Sequence, residues 1–198
     1  MLEEGKRRLT PNLMRKATLA YRLPLLGLPV PRPYEHPGHV GPRRLVEYLS
    51  SLGYPGFAYV RTRAGKRNPA EVLLAALAQE NLEARVAEGL PWLLLRYWKM
   101  DFAWLVEHAK RFDLQNRLGF VTSLALKVSE KTPAADRTAA LSGLEATLDR
   151  SRLAREDFFP RSPRSDTERE WLRQNRSKEA LHWSLLSDLR PEHLQHAE

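Results

Sequence analysis

Asn68-Pro69-Ala70-Glu71-Val72-Leu73-Leu74-Ala75-Ala76-Leu77 opens the longer part of this 198-residue chain and decides its class. Asn68 has a capping side chain, Pro69 suits the first helical position, and Glu71 stands three residues after the cap. Val72, Leu73, Ala76 and Leu77 follow at helical spacing and predict one buried face. The same grammar repeats toward the C-terminus. Leu82 to Glu88 predicts a short helix ended by Gly89, and Pro91 starts another over Trp92 to Trp98. Leu90 to Trp98 is apolar on nearly every side, which marks it as central. Asp101 caps a helix with Phe102, Leu105, Val106 and Ala109 inward. Asp113 caps the next, with Leu114, Leu118, Val121, Ala125 and Val128 on one stripe. Thr132-Pro133 starts a helix with Ala140, Leu141, Leu144 and Leu148 inward. Residues 151–165, polar and holding Pro160 and Pro163, read as a loop. Asp166, or Thr167 with Glu170, begins a helix carrying Trp171 and Leu172. Ser177 begins one more, through Leu181, Leu185 and Leu186, and Pro191 opens a short last turn.

Upstream of Asn68 the grammar changes. Thr10-Pro11 starts a helix with Leu13, Met14, Ala17 and Tyr21 on one face. Six prolines between Pro24 and Pro42 argue against regular structure there. Pro42 opens a helix with Leu45, Val46, Leu49 and Leu52 as its stripe, ended by Gly53 and Pro55. Phe57 to Thr62 alternates and is rich in β-formers, which predicts a short strand. Arg63 to Arg67 is a basic turn. The expected fold is therefore mainly α. It has a basic, Pro-rich N-terminal unit (1–68) with two helices and a short strand or hairpin, and a body of short antiparallel helices (69–198).

Charge divides at the same place. Residues 1–68 hold 13 Lys and Arg against 4 Asp and Glu, whereas 69–198 hold 19 against 20. The whole surplus of +8 belongs to the first third. Such an asymmetry points to a polyanionic partner at one end of the molecule. The basic residues that would grip phosphates are Lys6, Arg7, Arg8, Arg15, Lys16 and Arg22 in the arm and first helix. Arg43, Arg44, Arg61, Arg63, Lys66 and Arg67 continue the set. An acidic protein is the alternative occupant of the same face.

A second patch lies in the body. Trp92, Arg96, Tyr97, Trp98 and Trp104 crowd a short stretch. They read either as a large core cluster or as a protein interface, because Trp, Tyr and Arg are the usual anchors of such contacts.

Other classes are excluded or unsupported. The chain has no cysteine, so disulfides, thiolate metal sites and cysteine nucleophiles are absent. No Gly-rich phosphate loop, G-x-S-x-G or His-Glu-x-x-His pattern occurs. The pairs His36/His39 and His193/His196 have no carboxylate at metal-ligand spacing and read as surface histidines. Glu156/Asp157 and Glu168/Glu170 read as ordinary surface acids. The longest apolar run, Leu90 to Leu95, is far below the roughly 20 residues of a membrane span, and no apolar stretch follows the basic N-terminus as in a secretory signal. The expectation is a cytoplasmic protein that is not an enzyme, with no cofactor, no metal and no membrane contact. Self-association is compatible with the helical body.

Leu90-Pro91-Trp92 through Arg96-Tyr97, and Asp113-Leu114-Gln115-Asn116-Arg117-Leu118-Gly119, carry a resemblance. They resemble regulator-like proteins of bacterial mobile-element and defence loci, of the kind encoded beside nucleotidyltransferase toxins of the abortive-infection class. The resemblance covers about one fifth of the chain. It implies an antitoxin or transcriptional regulator and brings no catalytic residue. The chain departs from common antitoxins in having no clean helix-turn-helix at its N-terminus, where the Pro24–Pro42 segment interrupts, so its basic third suits gripping a phosphate backbone, or an acidic protein, better than reading bases. The functional expectation is a nucleic-acid-binding regulator or antitoxin-like protein whose helical body holds a protein partner, such as a toxin or complex subunit. The alternative is a helical adaptor in a larger defence-type assembly that makes no nucleic-acid contact.

Overall fold

The computed structural model describes residues 40–63, 65–130 and 134–194. Its helices are α1 (Pro42–Ser51), α2 (Pro69–Leu77), α3 (Ala84–Arg96), α4 (Phe102–Arg111), α5 (Gln115–Ser129), α6 (Ala135–Asp149), α7 (Asp166–Asn175) and α8 (Lys178–His182). Two strands, β1 (Asp157–Phe158) and β2 (Leu185–Leu186), pair in parallel. Single 3-10 turns lie at Pro55–Phe57 and Pro191–His193. The fold is mainly α. The sequence-predicted helix from Thr10, the Pro-rich segment up to residue 39 and the Thr132-Pro133 start lie outside the described residues.

Several predicted caps form. Asn68, Asp101 and Ser177 accept from the backbone N–H groups of Ala70, Trp104 and Ala180, satisfying donors that a helix start leaves unpaired. The α7 cap is Ser165, one residue before the predicted Asp166, and it accepts from Glu168 N. Asp113 is not a cap. Its φ is 58° and Leu114 N–H donates to Ala109 O at 2.8 Å, so Asp113 ends α4 in a Schellman closure before it could begin α5.

The helices expected over 82–88 and 92–98 are one helix, α3, which runs through Gly89 and Pro91. Pro91 has no N–H to donate, a loss of about 3 kcal/mol inside a helix. Burial of Leu90, Trp92, Leu93, Leu94 and Leu95 offsets it. Gly89 is not a terminator: a side chain there would meet the Tyr54 ring at 3.0 Å, so the glycine makes room for that ring. The Tyr54 phenol is pushed up to about 12, chiefly by burial and then by the Glu88 carboxylate. Burial therefore favours the neutral phenol. Its stabilising contribution is full below pH 10.0, the ordinary value, and is lost as pH rises toward about 12. Urea midpoints should fall between about pH 10 and 12.

The strand expected at Phe57–Thr62 does not form. Phe57 belongs to the 3-10 turn and is buried at 1% exposure, while Tyr59 is 69% exposed. Burial here does not alternate: Phe57 is buried, Ala58 and Tyr59 are exposed, and Val60 packs partly against the core. Leu45, Leu49, Leu52, Tyr54 and Phe57 share one core with α2 and α3, so α1 packs directly on the helical body.

α5 is the central helix. It is buried from Gln115 to Ala125 and packs against α3, α4, α6, α8 and β2. Its polar start holds the 151–161 segment. Asn116 donates to Leu153 O at 2.9 Å and accepts from Leu153 N at 2.8 Å. Gln115 donates to Ser151 O at 3.3 Å. Arg117 forms a two-pronged pair with Asp157 at 2.8 and 2.9 Å. The stretch expected to be a polar loop is thus a strap: it carries β1, buries Phe159, and receives the Leu82 N–H at Pro160 O. Leu185 and Leu186, expected on a helix, form β2.

Gly119 faces the fully buried Trp183, and a Cβ at this position would collide with the indole. Gly119→Ala should lower the unfolding free energy by about 1–3 kcal/mol, since the enclosed ring cannot move aside. Equilibrium urea denaturation measures this.

Candidate nucleic-acid interface

Six of the twelve basic residues singled out in the sequence are described, and all six are exposed. Arg43 and Arg44 stand in the first turn of α1, which contains no acidic residue. Cations there oppose the helix dipole at about 0.3–1 kcal/mol each and add to the positive potential of the helix end. Arg61, Arg63, Lys66 and Arg67 lie in the irregular segment between the 3-10 turn and α2. Two contacts hold it to α1. Ser50 Oγ donates to Val60 O at 3.0 Å, and the Arg67 guanidinium lies over the Tyr48 ring at 5.3 Å. Arg44 precedes Tyr48 by four residues and so shares its helix face. Lys6, Arg7, Arg8, Arg15, Lys16 and Arg22 lie outside the described residues.

Local charge balance distinguishes this stretch from the body. None of the six shares an ion pair with an acid among the described residues. In the body, Arg117, Lys127, Arg155, Arg161 and Arg173 pair with Asp157, Glu130, Asp113, Glu168 and Glu156. Residues 40–71 hold six basic residues and only Glu47 and Glu71 as acids. The positive potential here is therefore uncompensated at close range.

The aromatic patch divides. Trp92 is not available to a partner. It is 6% exposed and packs against the Tyr54 and Tyr97 rings at 5.3 and 6.3 Å, so it is core. Trp104 is half-buried on α4 and stacks on His108 at 3.8 Å. Arg96, Tyr97 and Trp98 line a cleft of about 470 Å³ with Asn68, Pro69, Lys99, Met100 and Asp101. Tyr97 Oη donates to Leu52 O at 2.8 Å and so ties the end of α3 to the end of α1. The Lys99 ammonium lies over the Trp98 ring at 4.9 Å. Tyr48 and Tyr59 are among the aromatics interleaved with the basic residues in the sequence, whereas Lys99 has no sequence signal of its own. Contact with the Trp98 ring is what singles out Lys99.

A larger cleft of about 710 Å³ lies among α5, α6 and α8. Its chemistry is internally matched. Arg152 Nη1 donates to His182 Nδ1 at 3.1 Å, which leaves the ring proton on Nε2, directed at Asp149 Oδ1 2.8 Å away. Ser123 Oγ accepts from Trp183 Nε1 at 2.8 Å and contacts the Glu145 carboxylate. Both ring nitrogens and the hydroxyl are thus engaged. Among the described residues, no three His, Asp or Glu side chains come together as metal ligands, and no helix is long and apolar enough to cross a membrane.

No protein-family model, curated protein or solved structure matches this chain. The residues behind the resemblance noted above serve the fold: Leu90 to Leu95 are core, and Gln115, Asn116 and Arg117 hold the strap.

Proposed function

We propose that this protein is a nucleic-acid-binding regulator that grips phosphates with its basic N-terminal third. The single observation that carries the reading is the set of six exposed cations, none in an ion pair among the described residues, within a stretch (40–71) whose only acids are Glu47 and Glu71. Exposed cations without internal partners gain most from a polyanion, because binding releases the counterions condensed on it. The antitoxin-like role belongs to the same proposal, with the helical body holding a protein partner. Burial removes Trp92 from the aromatic patch on which the adaptor alternative leaned, while Arg96, Tyr97, Trp98 and Trp104 keep exposed surface.

The test is fluorescence anisotropy of the full chain with labelled oligonucleotides at about 50 mM salt, in competition with poly-L-glutamate. Binding that resists the polypeptide at equal charge supports the reading. Absence of binding, or equal displacement by polyglutamate, overturns it in favour of an acidic protein partner.

A further inference from the structure

We infer that the nucleic acid is single-stranded, with one unstacked base seated in the cleft beside Trp98. This rests on the nucleic-acid reading and deepens it. The basic segment and the aromatic patch lie about thirty residues apart in the chain, and the fold joins them. The cleft begins at Asn68, next to Arg67, and is closed by residues 96–101. Its cations are Arg96 and Lys99, and Arg67 adjoins its rim over Tyr48. Its volume, about 470 Å³, falls within the roughly 300–1,000 Å³ of small-ligand clefts. A flat base fits such a space, whereas a duplex keeps its bases stacked inside and presents only phosphates. Aromatic faces set among cations are the combination by which proteins hold single strands: bases stack on rings while Lys and Arg follow the backbone.

One wall is held in place before binding. Tyr97 is tethered through its hydroxyl to Leu52 O, and Trp98 is half-buried. Lys99 sits over one face of the Trp98 ring, where a base could displace it toward a phosphate. Asp101 is the one acid in the lining. Its Oδ1 accepts from Trp104 N at 2.9 Å, so the carboxylate is committed to capping α4 and partly offset by that helix start.

Affinities are compared for labelled oligothymidylate of about 12 nucleotides and for a duplex of the same length, on the full chain. The wild type should favour the single strand. Trp98→Ala should weaken single-strand binding about 5–150-fold, the equivalent of one stacked base, and change duplex binding less than about twofold. Trp98→Phe keeps a ring and should retain affinity within a few-fold. It should also lose the tryptophan quench that the oligonucleotide produces in the wild type. That quench makes the test independent of any stability loss in Trp98→Ala. Equal affinity for duplex and single strand with no effect of Trp98→Ala would overturn the inference and leave the wider reading standing. Failure of both probes to bind would overturn the wider reading itself.

Discussion

Replacing Arg117 with Ala lowers the unfolding free energy by about 3–5 kcal/mol, the range for breaking one partner of a buried ion pair. The side chain is 8% exposed and its partner Asp157 19%. Arg117 Nε and Nη2 donate to the two Asp157 oxygens at 2.8 and 2.9 Å. Nη1 donates to the carbonyls of Leu77 and Gln79 at 2.9 and 3.0 Å, at and just past the end of α2. The guanidinium also lies over the Phe158 ring at 5.2 Å. One residue thus joins α5, the end of α2 and the strap. Its removal leaves a carboxylate and two carbonyls without their donor. A domain is stable by only about 5–15 kcal/mol, so this single change consumes a large share. Lysine should not rescue, because one ammonium cannot reproduce the planar fork. Arg117→Met with Asp157→Leu should recover much of the loss, since apolar replacement of both partners removes the stranded charge. Urea denaturation of the two single variants and the double variant measures the coupling. A loss under about 1 kcal/mol for Arg117→Ala would mean that the pair behaves as a surface pair.

Replacing Arg61, Arg63, Lys66 and Arg67 together with Ala has the largest expected effect on binding. Each phosphate contact contributes about 0.7 to the salt exponent for a single strand and about 0.9 for a duplex. Four contacts therefore account for an exponent of about 3, and their loss weakens binding on the order of 10³–10⁵-fold at about 50 mM salt. Stability should barely change. These side chains are exposed and outside ion pairs among the described residues, and only Arg67 makes an aromatic contact, worth about 0.5–1 kcal/mol. Unchanged affinity in the quadruple variant would remove this segment from the interface.

The sequence announces the helices and hides what ties them together. Caps such as Asn68, Asp101 and Ser177 are local signals and are legible because one side chain serves a backbone two or three residues away. Asp113 misleads, since the same residue type serves a tight turn when the preceding helix must close first. Gly89 and Pro91 mislead because both are breakers by local rule, while a Tyr54 ring and five buried neighbours override that rule. The strap was unreadable for a different reason. Its one strand, β1, is two residues long, too short to alternate, and pairs with β2 28 residues away. Arg117 reads as a surface charge until Asp157 is seen beside it. At the candidate site the cations were legible from composition alone. Their junction with Trp98 was not, because it depends on α3 continuing through Pro91 and delivering Tyr97 to Leu52.

The most direct measurement is the affinity of the full chain for a labelled single strand, read as log affinity against log salt between about 50 and 300 mM. The account predicts a linear fall with a slope of about −3 or steeper. A flat line would contradict it, because phosphate contact by these cations cannot occur without counterion release.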